Sequence, residues 1–171
     1  AYAHACRWDQ NDRPILASIN FCPVATSEAT DELLRGTALH EVAHALGFSS
    51  VTFPHMRLPD GKIPRTARLA DGTVPLGNVQ CFDGSVKANQ YLTAASTMWH
   101  GALADRGIEN AFKIVTPKVA AVAKVHFGCD SEIRAELENQ PTTDDSCWGS
   151  HWEQRTLNGE LMNIARLGTY P

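Results

Sequence analysis

The stretch from residue 26 to residue 47 constrains the fold more than any other part of the chain. Polar residues open it, and apolar residues then recur at near-helical spacing, at Leu33, Leu34, Ala38, Val42 and Leu46. This pattern predicts a helix that begins after the polar residues. Gly47 stands where the helix should end, because glycine permits a sharp backbone turn that a bulkier residue would resist.

The predicted helix carries the pattern H-E-x-x-H, formed by His40, Glu41 and His44. Residues four apart lie on one face of a helix, so both imidazoles can point a nitrogen at one ion about 2.0–2.1 Å away. Glu41 lies beside them without being forced to coordinate, which suits a general base that acts on the attacking water. The alternative is a chance string on an amphipathic helix, but the helical setting and Gly47 favour a zinc site.

A catalytic zinc site needs a third protein ligand, which must come from outside this motif. The extended metzincin pattern would place histidine at position 50, where the sequence has Ser50. The remaining histidines are His4, His55, His100, His126 and His151. His151 stands apart because Met162 follows it by eleven residues, and metzincin sites carry a methionine turn shortly after the third ligand.

The other histidines have simpler explanations. His4 has no motif around it, and His55 and His100 are interpreted as surface or packing residues. His126 lies near the end of a second predicted helix, where a cation complements the helix dipole. That helix is predicted between a proline and a glycine, Pro117 and Gly128.

The rest of the chain predicts short strands and loops within one domain. Residues 14–22 form an apolar run that follows a turn signal, which predicts a short strand. Residues 49–95 are crowded with glycine, proline, aspartate and asparagine, which predicts long loops with room for a β-hairpin. Residues 138–150 are again rich in turn formers.

The five cysteines are scattered rather than grouped in C-x-x-C pairs, at Cys6, Cys22, Cys81, Cys129 and Cys147. Disulfides formed in an oxidising compartment explain them better than a thiolate metal site. Cys6 and Cys22 could staple the strand predicted at 14–22. The odd count leaves one cysteine as a free thiol or, our preferred interpretation, as the partner of a cysteine outside this chain.

Charge and hydropathy argue against a nucleic-acid partner, a membrane-spanning segment and a signal peptide. The formal net charge is −4 and the basic residues form no cluster, so nucleic acid is not an expected partner. No apolar run reaches the roughly 18 residues of a membrane span. The first residues also lack the layout of a signal peptide.

Four stretches of the sequence resemble the leishmanolysin family of zinc metallopeptidases, which are metzincins with a long insertion before the third histidine. They follow one another in the family's order at 13–23, 38–50, 115–129 and 149–162. The resemblance implies one Zn²⁺ per chain with zinc ligands His40, His44 and His151. It also implies catalytic Glu41, turn residue Gly47 and methionine-turn residue Met162.

The resemblance further implies an α+β fold, a metzincin-type zincin catalytic domain with a mixed sheet, an active-site helix and a loop-rich lower subdomain. Residues 1–171 would be that single domain or a fragment of it, with the first strands of the sheet upstream. Within it, residues 1–50 would hold the strand and active-site helix, and 51–113 the loop-rich insertion. Residues 114–171 would hold the second helix, the third ligand and the methionine turn.

The implied function is zinc-dependent endopeptidase activity on extracellular or cell-surface proteins, in a secreted or cell-surface protein. Polypeptide substrates are the expected partners, together with other parts of the same precursor joined through disulfides. The alternatives are a non-catalytic adhesive or structural ectodomain that keeps the zincin fold, and a zinc hydrolase for a non-peptide substrate.

The sequence departs from the family's pattern at two places near the third histidine. Residues 141–148 replace a glycine-rich approach and add a cysteine, and no tyrosine follows Met162 by two residues. Ile164 and Leu167 after the methionine favour an apolar substrate side chain following the cut. Glu153 and Arg155 could orient a ligand, although an ion pair between them is the simpler interpretation.

Overall fold

Two α-helices, two short 3₁₀-helices and three antiparallel β-hairpins build the part of the chain that the computed structural model describes, residues 1–22, 30–129, 135–138 and 147–163. The α-helices are α1, Asp31–Ala45, and α2, Pro117–Phe127. The strands are β1, Tyr2–Trp8; β2, Pro14–Asn20; β3, Leu76–Gln80; β4, Val86–Tyr91; β5, Met98–Leu103; and β6, Ile108–Ile114. This mixture of helices and small antiparallel sheets agrees with the expected α+β class.

The long predicted helix is confirmed as α1. Thr30 caps its first turn, since the Thr30 hydroxyl accepts a hydrogen bond from the Leu33 amide at 3.3 Å. Gly47 follows its end with a φ of +109°, a conformation that favours glycine. The predicted start at residue 26 falls among residues 23–29, outside the described residues.

The apolar positions that predicted α1 do not form its most buried face. Val42 is 41% exposed and Leu46 is 73% exposed, whereas the buried residues are Gly36, His40, Glu41 and His44. The helix therefore turns its polar, chemically active face inward. Burial of these groups requires hydrogen-bond partners from other segments, since an unsatisfied buried polar group is costly.

Strand β2 confirms the strand predicted at residues 14–22, and β1 is its antiparallel partner. The staple between Cys6 and Cys22 is wrong, because both are exposed free thiols. The register explains this: the residues flanking Cys6 pair near the middle of β2, whereas Cys22 lies beyond Asn20, the partner of Tyr2.

The predicted loop region contains the expected hairpin, β3–β4. A further hairpin, β5–β6, was not predicted, and six of the seven residues of β6 are buried. Helix α2 confirms the second predicted helix, with Pro117 in its first turn and Gly128 at its end. No described helix is long and apolar enough to cross a lipid bilayer.

The main hydrophobic core joins the hairpins β3–β4 and β5–β6 to the segments on either side of residues 139–146. Its buried members are Phe53, Cys81, Met98, Phe112, Ile114, Leu137, Cys147 and Trp148. Strand β6 continues this packing through isolated bridges, because Lys113 pairs with Glu136 and Leu137 pairs with Trp152. The core therefore fixes the backbone directly beside His151.

A disulfide between Cys81 and Cys147 crosses this core and closes a loop with a sequence separation of 66 residues. Replacing both cysteines by alanine should lower the free energy of unfolding by about 4 kcal/mol, because the unfolded chain loses that constraint. Denaturant unfolding measures the effect, with Cys6→Ser at an exposed thiol as the control. Equal stability of the double variant and the wild type would contradict this role of the disulfide.

An ionic cluster anchors the β1–β2 turn to the following loops. Asp12 accepts hydrogen bonds from Arg57 at 2.8 Å and from Arg68 at 2.9 Å. His55 Nδ1 lies 3.5 Å from the same carboxylate. Burial, and then the charge of Arg68, lower the pKa of His55 below its usual value of 6.5, against the opposing effect of Asp12.

The lowered pKa of His55 predicts a loss of stability in mild acid. Below pH 6.5 His55 binds a proton in the unfolded chain more readily than in the folded protein. The contribution of His55 to the free energy of unfolding therefore falls as the pH falls from 6.5 toward the folded-state pKa. Urea unfolding at pH 7.5 and at pH 5 should give a smaller drop for His55→Gln than for the wild type. Identical drops in both proteins would exclude His55 as a source of the pH dependence.

Candidate metal centre

Three imidazoles converge at one point of the structure. Nε2 of His44 lies 3.0 Å from Nε2 of His40, and Nε2 of His151 lies 3.2 Å from each of them. Nitrogens that bind one zinc ion tetrahedrally, at the usual 2.0–2.1 Å, stand roughly 3.3–3.4 Å apart. The separation of the three nitrogens therefore fits a zinc ion.

The outer nitrogen of each ring has a hydrogen-bond acceptor. Nδ1 of His40 donates to the Leu161 carbonyl at 2.7 Å, and Nδ1 of His44 donates to the Phe48 carbonyl at 2.7 Å. Since a carbonyl only accepts, both rings carry their proton on Nδ1 and turn the lone pair of Nε2 inward. Burial also lowers the pKa of His44, which favours the neutral form that binds a metal.

The turn that follows α1 completes the surroundings of His44. After Gly47 the chain folds back, so that the Phe48 amide donates to the Ala43 carbonyl at 2.9 Å while its own carbonyl accepts from His44. The Thr52 hydroxyl donates to the Gly47 carbonyl and holds the turn closed. The chain therefore turns back toward α1 at Gly47.

His151 reaches the helix because its segment pairs with two others. The Glu138 amide donates to the His151 carbonyl at 2.9 Å, and the Trp152 amide donates to the Met162 carbonyl at 2.8 Å. Ser50, at the position where the simple metzincin pattern has histidine, donates its amide to the hydroxyl of Ser150 at 3.0 Å. This contact ties the exit of α1 to the residue before His151.

Glu41 and Met162 both lie inside the protein. Glu41 is 2% exposed on the inward face of α1 and lies between the two helix histidines in sequence. Met162 is 5% exposed and directly follows Leu161, whose carbonyl accepts the hydrogen bond from His40. The segment of the predicted methionine turn thus contributes directly to the surroundings of the three histidines.

The structure separates the other histidines from this cluster. His100 lies 3.2 Å from the Asn110 side chain and stacks on Phe112, which is a packing role. His126 lies 3.5 Å from Glu160 near the end of α2, and His4 is exposed on β1. Among the described residues, only His40, His44 and His151 form a group of three histidine, cysteine or acidic side chains able to bind one metal ion.

The carboxylate that contacts His151 is Glu138, which no sequence pattern indicates. Glu138 Oε1 lies 2.6 Å from His151 Nδ1, whereas Glu153 pairs with Arg155 at 2.8 Å, as the simpler interpretation expected. Glu138 lies 13 residues before His151 and belongs to no metal-binding motif, so only the backbone pairing identifies it. Ile164 and Leu167 lie outside the described residues.

A helix that carries H-E-x-x-H and meets a distant third histidine is the type of site found in zinc metallopeptidases of the metzincin class. Comparison with known families gives the same class. The sequence profile of the leishmanolysin family, peptidase M8, matches residues 1–170. The chain belongs to the leishmanolysin family.

Relatives in several animals support this assignment. A leishmanolysin-like peptidase of Caenorhabditis elegans is 36% identical over 165 residues, and one of Drosophila melanogaster is 35% identical over 167 residues. Each match covers 95% of this chain and 24% of the relative. A human ciliated left-right organizer metallopeptidase is 28% identical over 170 residues, which cover 95% of this chain and 17% of that protein. The chain thus spans about a quarter or less of these curated relatives.

Proposed function

We propose that this protein is a zinc-dependent endopeptidase in which His40, His44 and His151 bind one Zn²⁺ and Glu41 is the catalytic base. The observation that carries the proposal is the convergence of three Nε2 atoms within 3.0–3.2 Å of one another. Three neutral imidazoles are a donor set that suits zinc and leave a fourth position for water or substrate. The family membership of the chain supports the same chemistry.

In the proposed peptide hydrolysis, the metal would activate the carbonyl and the water, and Glu41 would transfer the proton. Zinc, when bound, supplies a Lewis acid that polarises the scissile carbonyl and lowers the pKa of water toward about 7. Glu41 accepts a proton from the attacking water and then transfers it to the leaving amine nitrogen as the C–N bond breaks. Glu41 is buried in the protein interior, where the dielectric constant is lower than in water. Its electrostatic interactions with the reacting groups are therefore stronger.

The hydrogen bonds at the outer nitrogens prepare the site for metal. Leu161 and Phe48 offer backbone carbonyls to the two helix histidines, which holds each ring in one orientation and one tautomer. A preorganised set of ligands loses less conformational entropy when it binds an ion. Gly47 and Met162 act in this proposal as the turn glycine and the methionine-turn residue that support the two halves of the site.

We also propose a fold and a location for the protein. Residues 1–171 form one metzincin-type catalytic domain or part of one, and the site combines residues 1–50 with residues 114–171 across the insertion at 51–113. The substrates are polypeptides at the cell surface or outside the cell. The disulfide between Cys81 and Cys147 supports this location, because disulfides persist in oxidising compartments.

Cleavage of an unstructured protein such as casein tests the proposed function. The purified protein should cleave casein, lose this activity when a chelator removes the metal, and regain it when Zn²⁺ is added. Zinc binding without cleavage of casein or peptides would instead support the non-catalytic ectodomain. Hydrolysis confined to non-peptide esters or amides would support a zinc hydrolase for a non-peptide substrate.

A further inference from the structure

We propose that Glu138 is a positioning residue that orients His151 toward the zinc ion, an inference that rests on the proposed function. Glu138 Oε1 lies 2.6 Å from His151 Nδ1. The Glu138 side chain is 13% exposed and that of His151 is 20% exposed, so surrounding protein shields the pair from much of the solvent. Hydrogen bonds to a carboxylate are shorter and stronger than those to a neutral carbonyl.

The three histidines are therefore held in two different ways. His40 and His44 share the rigid frame of α1 and donate to backbone carbonyls. His151 lies in a separate segment, and the described residues of that segment, 147–163, form no α-helix or strand. It alone of the three donates to a carboxylate. For His151 the carboxylate takes the place of a helical frame, because it fixes both the ring orientation and the proton on Nδ1.

The carboxylate also changes the electronic character of His151. A negatively charged acceptor at Nδ1 draws the proton toward itself and raises the electron density on Nε2. His151 thereby becomes the most strongly donating of the three candidate ligands. Its attachment to zinc should be more sensitive to the loss of Glu138 than to changes at other acidic residues.

Gly149 gives Glu138 the space for this contact. The Gly149 amide donates to the Glu138 carbonyl at 3.0 Å, so the two backbones run side by side. A Cβ atom on Gly149 would overlap Oε1, Cδ and Cγ of the Glu138 side chain. Gly149→Ala would therefore displace the Glu138 side chain from its present position.

Zinc affinity, measured by competition with a chromophoric chelator, tests this role. Glu138→Ala should weaken zinc binding about 10- to 100-fold, the usual effect of losing such a hydrogen-bond partner. Glu138→Gln should give a smaller loss, because the amide oxygen still accepts from Nδ1 but carries no charge. Glu109→Gln, at an exposed carboxylate on β6, is the matched control and should leave the affinity unchanged.

A double-mutant cycle separates positioning from general damage to the fold. Gly149→Ala should weaken zinc binding as much as Glu138→Ala, and the double variant should be no weaker than either. Losses that add would mean that Gly149 acts on the fold and not through Glu138. The visible spectrum of the Co²⁺-loaded protein provides a readout at the metal, and it should change in Glu138→Ala and not in Glu109→Gln.

The outcomes distinguish this inference from the proposed function. A wild-type protein that binds no zinc would overturn the proposed function itself. Tight zinc binding by the wild type, with unchanged affinity and Co²⁺ spectrum in Glu138→Ala and in Gly149→Ala, would overturn only the role of Glu138. If Glu138→Ala does not fold, the comparison of Glu138→Gln with Glu109→Gln decides the question.

Discussion

Glu41→Gln should reduce kcat/KM for peptide cleavage by about 100- to 10,000-fold, the usual contribution of a general acid–base group. Glutamine has nearly the same shape as glutamate but cannot take the proton from the attacking water. Because Glu41 is not a proposed ligand, the variant should still bind one zinc ion per chain. Initial rates of peptide cleavage, with metal content determined on the same samples, measure both effects.

The matched control for Glu41 lies on the same helix. Glu32 is exposed in the first turn of α1, so Glu32→Gln removes an equal charge at a distance from the three histidines. This control should keep both its zinc and its activity. Activity of Glu41→Gln within a factor of a few of the wild type would contradict the role of Glu41 as the base.

His151→Ala should weaken zinc binding by more than about 100-fold, since loss of a ligand exceeds the 10- to 100-fold loss typical of its supporting partners. Two histidines would remain on α1, whereas catalytic zinc sites normally use three protein ligands. Peptide cleavage should disappear at zinc concentrations that saturate the wild type. Equilibrium zinc binding by chelator competition measures the loss.

His126→Ala is the control for this second substitution. Its side chain is 43% exposed at the end of α2 and lies outside the cluster of three histidines. It should bind zinc like the wild type. If His151→Ala kept the full affinity, a residue other than His151 would be the third ligand.

The sequence predicts α1 and the shared face of His40 and His44 well, because both depend on local order. One short stretch of sequence, about five helical turns, contains all the local signals. These are the helical period, the spacing of His40 and His44 and the glycine after them. The same reasoning predicts α2 from Pro117 and Gly128. Local sequence does not show which face of α1 is buried, because the buried face depends on the distant segments that pack against this helix.

Local sequence patterns do not predict that His151 joins the two helix histidines, or that Glu138 contacts it. The methionine that follows His151 and a family resemblance indicate this residue, whereas local periodicity does not. Glu138 carries no signal of its own, because its position depends on backbone pairing with His151 and on the missing side chain of Gly149. Such contacts arise only when two short irregular segments meet, and a single sequence does not encode their pairing in any simple pattern.

The hairpin β1–β2 shows a similar limit for disulfides. Cys6 precedes the strand predicted at 14–22 and Cys22 ends it, so the two look suited to a disulfide. Strand register nevertheless places them at different levels of the sheet. Cys81 and Cys147 lie 66 residues apart and nevertheless form the disulfide. Proximity in space decides the pairing, and sequence spacing gives little information about it.

A zinc titration of metal-free protein shows whether peptide cleavage depends on one zinc ion per chain. Zn²⁺ is added in steps to chelator-treated wild-type protein, and the initial rate of casein cleavage is measured at each step. The rate should rise from near zero in proportion to added zinc and reach a plateau at one ion per chain. Cleavage that persists without metal, or full zinc occupancy without any cleavage, would contradict the assignment of this protein as a zinc endopeptidase.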